Sequence, residues 1–315
     1  ASAPLAGGVR SSNQRDYAIM TGYKPSAKEV QELRQRTGAG MMDCRNALTT
    51  AEGNIDLAVE NLRKSGIAKA EKRAGRVASE GRIVCLISPD GKAGAMLELN
   101  SETDFVSRND DFGAVAEALG RHLLGQDGVD VVVPNGAEGD FLAKPFQGKT
   151  VQDAVTGTSA KVGENVVLRR YARLTTDGTL GTYIHHNGRV AVIVEVNGPA
   201  GDAALELGRK VAEHVAAGVP RVPEAVRRED VPADIVDRER RIFHDKALAE
   251  GKPEHIVAKV VEGQVRKFFA EVTLLEQPWV RDDSKTIQQL VDEMSARAGG
   301  ALGVRRFVRY RMGEE

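Results

Sequence analysis

Two stretches of the chain carry the same pattern of apolar and polar residues around a central Asx-Gly pair. Apolar runs lie on both sides of Asp90-Gly91, and again on both sides of Asn187 and Gly188. Such a pair between apolar runs is a strong signal for a β-hairpin, whose type I′ turn requires positive φ at both residues. The pattern therefore predicts two β-hairpins, at residues 81–100 and 178–197.

The two hairpins are copies of one repeat. Each position of the first copy matches the position 97 residues later, so that Gly81 matches Gly178. A helical pattern follows each hairpin and opens at Asp111 and Asp202, where the offset has fallen to 91. The first copy is therefore six residues longer than the second, and the extra length falls in the Thr-Asp-Phe-Val segment at residues 103–106.

This repeat predicts an α+β core of two hairpin-plus-helix subdomains. We assign residues 81–177 to the first subdomain and residues 178–315 to the second. Residues 161–174 alternate apolar and polar side chains like a half-buried strand, and residues 304–310 alternate like a charged edge strand.

A module of three short helices is predicted at residues 26–66. Ser26 and Glu29 have the spacing of a capping box, and Gly38 lies where the first helix should end. Asn54 is a candidate N-cap for the third helix, which we expect to end at Gly66. Leu57, Ala58 and Leu62 are expected to face inward.

Met41 and Met42 lie where the second helix of this module should begin. Methionine serves either as core filler or as an adaptable contact surface. Because neighbouring residues of a helix do not share a face, we expect one methionine facing each way.

The segments around these domains are rich in charged or small residues. Residues 1–25 contain no acidic residue before Asp16 and predict a flexible extension, which is either the mature end of an organellar precursor or a flexible tail. Residues 67–80 are rich in Lys, Arg, Ala and Glu and predict a solvated linker helix.

Residues 233–272 predict a helical hairpin inserted in the second subdomain. Residues 234–250 and 254–271 are helical in composition, and Gly251-Lys252-Pro253 separates them. The narrow apolar stripe favours an antiparallel coiled coil over two ordinary core helices. The stripe consists of Ile235, Ile242, Phe243, Leu248, Ile256, Val260, Val261, Phe268 and Phe269.

Composition excludes several classes of function. Hydrophobic residues make up 41% of the chain, charged residues 28%, and the net charge is −1, which argues against direct nucleic-acid binding. No apolar run approaches a membrane span of about 20 residues. Cys44 and Cys85 predict reduced thiols. The sequence contains no recognisable catalytic or metal-binding pattern, so we expect neither an enzyme nor a cofactor.

Two motifs carry a resemblance to a known family. Residues 33–44 read Leu-Arg-Gln-Arg-Thr-Gly-Ala-Gly-Met-Met-Asp-Cys, and residues 101–106 read Ser-Glu-Thr-Asp-Phe-Val. With these motifs the chain resembles translation elongation factor Ts from about Ser26 to Gly313. That family consists of guanine-nucleotide exchange factors for elongation factor Tu.

The resemblance implies a partner and a division of labour. The three-helix module is similar to a ubiquitin-associated domain and would dock on the nucleotide-binding domain of elongation factor Tu. Asp104 and Phe105 would intrude near the Mg²⁺ site of that partner, while the second repeat would hold a distant domain. The predicted partner-binding residues are Arg34, Thr37, Gly38, Met41, Met42, Asp43, Thr103, Asp104, Phe105, Val106, Asn187, Gly188 and His214.

Alternatives remain open for the turn, the function and the source. Phe105 could instead pack on its own helix with Asp104 as the helix cap, and His214 could be a half-buried surface residue. The chain could also be an exchange-inactive structural subunit, since bacterial members usually continue into a C-terminal helical module that this sequence does not show. We expect the mitochondrial matrix, with the bacterial cytoplasm as the alternative.

Overall fold

The computed structural model describes residues 22–127 and 130–314, which fall into two compact units. The first unit holds residues up to 78 together with 145–166, and the second holds residues 79–144 together with the chain from 167 onwards. Most of the predicted N-terminal extension, residues 1–21, lies outside the described residues. The domain boundaries drawn from the sequence remain a prediction.

Three helices open the first unit: α1 (Ala27–Thr37), α2 (Met41–Thr50) and α3 (Ile55–Arg73). The predicted capping box is present, because the Ser26 hydroxyl accepts from the Glu29 amide and the Glu29 carboxylate accepts from the Ser26 amide. Gly38 ends α1 at φ 68°, a conformation that suits glycine. The three helices enclose a small core of Val30, Leu33, Cys44, Ala47, Leu48, Ala51 and Ala58.

The third helix differs from the prediction at its end. It runs through Gly66 to Arg73, so the end at Gly66 was wrong and much of the predicted linker is part of α3. A Cβ on Gly66 would lie 2.9 Å from the Cβ of Ala160, so this glycine allows close helix packing instead of ending the helix. Leu57, which was expected to face inward, is exposed.

The packing partner of α3 is a second segment of the first unit. Two short strands, β4 (Pro145–Phe146) and β5 (Lys149–Thr150), form a tight hairpin that leads into α6 (Val151–Val162). Thr150 and Asp153 form a capping box at the start of α6. The strand predicted from residue 161 therefore begins only after α6 has ended.

The second unit contains a four-stranded antiparallel sheet in the order β1-β2-β6-β3. Between its second and third strands in the chain come a one-turn helix and a long helix that packs on β1 and β2. These elements are β1 (Glu80–Ile87), β2 (Ala93–Ser101), α4 (Asp104–Ser107), α5 (Asp110–Leu124), β3 (Val131–Val133) and β6 (Val167–Thr175).

The second repeat forms a three-stranded antiparallel sheet in the order β11-β8-β7. Its strands are β7 (Thr179–Ile184), β8 (Val190–Asn197) and β11 (Gly303–Arg311), and the last is an edge strand as predicted. Helix α7 (Asp202–Ala217) packs on this sheet. The contact is close because a Cβ on Gly181 would lie 2.2 Å from the Gly208 carbonyl carbon.

Both hairpins are confirmed, but their turns are not of type I′. Positive φ occurs at Gly91 (70°) and Gly188 (67°), whereas Asp90 and Asn187 do not adopt it. Each loop is four residues long between the bonded ends of the strands, and four-residue loops are usually built around a type I turn. The type I′ prediction was wrong because it assumed two-residue loops at Asp90-Gly91 and Asn187-Gly188, whereas each loop has four residues.

A helical hairpin is present where it was predicted, formed by α8 (Ala233–Ala249) and α9 (Glu254–Val272). The two helices pack through Val236, Phe243, Ala247, Val257, Val261, Val265, Phe268 and Phe269. Ile242, Leu248 and Ile256 were placed in the apolar stripe but are exposed, so that part of the prediction was wrong. The coiled-coil geometry remains a prediction.

The repeat is longer than the sequence pattern predicted. After the inserted hairpin come β9 (Pro278–Trp279), β10 (Asp282–Thr286) and α10 (Ile287–Ala298), which repeat the order of β4, β5 and α6. Thr150 matches Thr286 at an offset of 136, and each is the N-cap of a capping box. Strand β11 is therefore the counterpart of β6. The two copies diverge in packing, since α6 contacts α3 and α10 contacts α7.

Candidate functional site

The extra residues of the first repeat form a compact turn between β2 and α5. Thr103 is the N-cap of α4, and its hydroxyl accepts from the amide of Val106. Asn109 is the N-cap of α5 and accepts from the Asp111 amide at 2.8 Å. The predicted insertion is thus one complete helical turn with a capped start, followed directly by a second capped helix.

Two serines and an arginine hold this turn in place. The Ser101 hydroxyl donates to the Thr103 carbonyl at 3.0 Å, and the buried Ser107 donates to the Asp104 carbonyl at 3.0 Å. Arg82, on strand β1, donates from Nε to the Ser107 carbonyl at 2.7 Å. The backbone of α4 is therefore fastened to the sheet. Sequence reasoning missed Arg82, because an arginine in an alternating strand carries no signal of what it will contact.

Phe105 projects from this turn into solvent. Its side chain is 84% exposed, which is the highest exposure among the large apolar residues of the described chain. The alternative in which Phe105 packs on its own helix is therefore wrong for this structure. Thr103 and not Asp104 caps the helix, so the second half of that alternative is wrong as well.

Asp104 lies beside Phe105 and pairs with Arg108. Its Oδ2 atom is 2.9 Å from Arg108 Nη2, and both side chains are substantially exposed. An exposed ion pair contributes little free energy, so Asp104 can exchange this partner for another at small cost. The turn therefore presents the solvent-exposed ring of Phe105 next to the Asp104 carboxylate, which can exchange its ion-pair partner.

The first unit presents a second apolar surface at the start of α2. Met41 is 60% exposed and Met42 is 63% exposed, so the expectation that one of them faces inward was wrong. Both precede the buried Cys44, and Arg34 is exposed on α1. Two exposed, flexible thioether side chains suit an adaptable contact.

The neighbouring predicted residues of this unit have structural partners of their own. Thr37 donates to the Leu33 carbonyl at 2.7 Å and accepts from the Ala39 amide at 3.3 Å. Asp43 accepts from Lys69 Nζ at 2.7 Å. Together with Gly38 in its left-handed conformation, these contacts set the path of the chain from α1 into α2 and fix the start of α2 at Met41.

The predicted residues of the second repeat separate into a surface pair and a buried residue. Asn187 and Gly188 form the exposed turn between β7 and β8, where Asn187 Oδ1 accepts from the Arg189 amide at 3.0 Å. His214 on α7 is only 1% exposed. The expectation of a half-buried surface histidine was wrong, and a direct contact of this side chain with a partner requires the chain to open.

His214 instead connects α7 with the segment before β10. Its Nε2 atom is 2.9 Å from Gln277 Oε1, and its Nδ1 atom accepts from the Val280 amide at 3.2 Å. Nδ1 therefore carries a lone pair and the ring is neutral. Burial lowers the pKa of His214 below its usual value, and the hydrogen bond to Gln277 opposes this only in part.

A metal site and a membrane-spanning helix are both absent from the part of the chain that the structure describes. Residues 22–127 and 130–314 contain no group of three or more His, Cys, Asp or Glu side chains placed to hold a metal ion. No described helix is both long and apolar enough to cross a membrane. Both cysteines are free, and burial raises the pKa of Cys85 to about 12, so that thiol stays protonated.

Comparison with known proteins identifies the family of this chain. The family model described as elongation factor TS matches residues 102–314, which is more than half of the chain. The chain belongs to the elongation factor Ts family. It is 43% identical over 292 residues to elongation factor Ts of Aquifex aeolicus, covering 91% of this chain and 98% of that protein.

Other bacterial members of the elongation factor Ts family are equally similar. The protein of Clostridium botulinum is 44% identical over 292 residues, covering 92% of this chain and 93% of its own length. That of Nostoc sp. is 42% identical over 300 residues, covering 92% of both chains. Family membership supports a role in translation elongation. The mitochondrial expectation is not supported, because these relatives are bacterial, which favours the bacterial cytoplasm.

Proposed function

We propose that this chain is a guanine-nucleotide exchange factor that binds elongation factor Tu and accelerates GDP release. The observation that carries the proposal is Phe105, a bare aromatic ring on a helical turn fastened to the sheet. An exposed aromatic ring costs free energy in water, whereas a buried one is among the strongest contributors to an interface. A partner surface would supply that burial.

The mechanism follows from linkage between two ligands of one GTPase. Such a protein holds GDP through backbone amides, a lysine and Mg²⁺. A factor accelerates release only if it binds the nucleotide-free state more tightly than the loaded state, and the two ligands then weaken each other equally. No catalytic group is required of the factor, so we do not expect it to be an enzyme.

Each predicted surface has a role in this scheme. Phe105 would repack apolar side chains of the partner near the nucleotide, and Asp104 would compete there for hydrogen bonds or weaken the Mg²⁺ environment. The exposed Met41 and Met42, with Arg34, would grip the nucleotide-binding domain. Asn187 and Gly188 would contact a distal domain. Since His214 is buried, its role would be to position residues 277–280 and not to touch the partner.

Stopped-flow release of a fluorescent GDP from elongation factor Tu tests the proposal. We expect strong acceleration by wild type and at least a tenfold smaller acceleration by Phe105→Ala, while the affinity for the nucleotide-free partner falls much less. Asp104→Ala should show an intermediate loss. Leu205→Ala, which truncates an exposed apolar residue on α7, is the matched control and should act like wild type.

The same experiment separates exchange from a purely structural role. If wild type binds elongation factor Tu without accelerating release, the chain is an exchange-inactive subunit of a larger assembly. If Phe105→Ala accelerates release as well as wild type does, the exchange function stands but does not depend on Phe105. Circular dichroism spectra of the variants exclude misfolding as the cause of a loss.

A further inference from the structure

A cavity of about 510 Å³ opens beneath the Asn187–Gly188 turn in the second unit. Cross-strand pairing builds its floor, because Tyr183 and Arg309 both pair with Val192, and Arg311 pairs with Val190 two residues away. Side chains at such positions project from the same face of a sheet. The last turn of α7 and residues 280–281 form the opposite wall.

The lining of this cavity is rich in arginine. Four arginines line it, namely Arg189, Arg281, Arg309 and Arg311, against a single acidic residue, Glu213. Arg281 pairs with Glu213, Arg189 pairs with Glu80 at 2.6 Å, and Arg309 Nη1 is 2.5 Å from Glu314 Oε2. Among the described residues, Arg311 has no ion-pair partner.

Arg309 is the least expected of these residues. Its side chain is only 6% exposed, and its Nε atom is buried without a hydrogen-bond partner in the described structure. Buried polar groups are nearly always satisfied, so the unpaired Nε of Arg309, a residue that lines the cavity, calls for an explanation. A small shift of the Arg309 side chain towards the cavity would let an anion there provide the acceptor that the chain itself does not.

The first repeat shows how the same two positions can be satisfied within the chain. Arg173 is the counterpart of Arg309 at the offset of 136, and its Nε donates to the Leu124 carbonyl at 3.4 Å. Thr175 stands in place of Arg311 and donates to Asp130 at 2.6 Å. The first copy satisfies its polar groups internally, whereas the second has an additional arginine and leaves a guanidinium nitrogen unpaired.

We propose that this cavity, defined by Arg189, Arg281, Arg309 and Arg311, binds a phosphate-bearing anion. Guanidinium groups donate pairs of parallel hydrogen bonds whose geometry matches phosphate oxygens. The cavity is within the volume range of small-molecule sites, so it has room for a phosphorylated compound larger than inorganic phosphate. Tyr183 and His185, whose side chains are 3.1 Å apart, add polar groups on one side.

The test is a titration of the full chain with inorganic pyrophosphate at constant ionic strength. Isothermal calorimetry gives the affinity, and the fluorescence of Trp279, the only tryptophan, reports on residue 280 next to it. We expect saturable one-to-one binding that Arg311→Gln weakens at least tenfold. Arg309→Gln should weaken pyrophosphate binding at least as much. Because Arg309 is buried, its substitution could unfold the protein; in that case the variant of the exposed Arg311 still tests the proposal.

The controls separate a site from general charge attraction. Arg209→Gln removes an exposed positive charge on α7 outside the cavity and should bind pyrophosphate like wild type. Malonate, a dicarboxylate, should bind at least tenfold more weakly than pyrophosphate. No saturable binding to wild type, equal weakening in Arg209→Gln, or equal binding of malonate would each overturn the proposal. None of these results depends on elongation factor Tu.

Discussion

Glu98 and Glu195 occupy the same position in the two copies of the hairpin, and each accepts a hydrogen bond from an arginine on the neighbouring strand, β6 or β11. Glu98 Oε2 is 2.8 Å from Arg170 Nε, and Glu195 Oε2 is 2.6 Å from Arg306 Nε. Arg170 and Arg306 are themselves counterparts at the offset of 136. The duplicated fold therefore contains a duplicated ion pair.

Each pair lies at an irregularity in strand pairing. The register shifts between Glu98 and Leu99 on β2, and between Val304 and Arg306 on β11 opposite Glu195. Both carboxylates are buried, at 0% and 1% exposure. A buried charge is tolerated only when it is paired and hydrogen-bonded. We infer that each pair fixes the register of β6 against β2, or of β11 against β8, at the point where the strand pairing is interrupted.

Removing the charge of Glu98 should destabilise the second unit strongly. Glu98→Gln leaves Arg170 without its anionic partner at a site where it is only 11% exposed, and breaking a buried pair costs about 3 kcal/mol. Urea unfolding followed by Trp279 fluorescence measures the change, because Trp279 belongs to this unit. Glu117→Gln breaks an exposed pair with Arg121 and should cost less than about 0.5 kcal/mol. Equal losses in the two variants would contradict a structural role for the buried pair.

The hairpins and their helices could be predicted because local signals dominate there. Alternating apolar residues, the glycines of the turns and the capping residues Ser26 and Asn54 all act over a few residues, and the structure contains the corresponding elements. Phe105 could be singled out for the same reason, since an aromatic residue in a polar insertion has no local core to enter. Its exposure follows directly from that pattern.

Features that depend on distant contacts could not be predicted. Gly66 looks like a helix end until Ala160 is known to pack against it. His214 sits on an amphipathic helix like a surface residue until Gln277 covers it, 63 residues later in the chain. The second half of the repeat was missed because α8 and α9 interrupt it in one copy only. Met41 and Met42 are both exposed because the small core of the module is already filled by neighbouring residues.

If the proposed exchange activity holds, Arg82 should influence its rate without touching the partner. Arg82→Met removes the donor to the Ser107 carbonyl and loosens the turn that carries Phe105. We expect a five- to tenfold lower maximal rate of GDP release with little change in the affinity for elongation factor Tu, since losing preorganisation costs about 1 kcal/mol. Stopped-flow titration resolves the two quantities. Arg121→Gln, on the exposed face of α5, serves as the control; a matching loss there would point to general charge and not to the turn.

His214 should make the stability of the second unit depend on pH. The folded state holds the ring neutral with a lowered pKa, while the unfolded state titrates near the ordinary value of 6.5. Below pH 6.5 the unfolded chain therefore binds more protons, and stability falls as the pH falls towards the folded pKa, by at most about 1.4 kcal/mol per pH unit. Urea unfolding between pH 7.5 and 5.5, above the range in which the carboxylates with lowered pKa such as Glu206 contribute, should show this slope in wild type and lose it in His214→Gln. His255→Gln changes an exposed histidine and should keep the wild-type slope. A slope that persists in His214→Gln would assign the effect to another group.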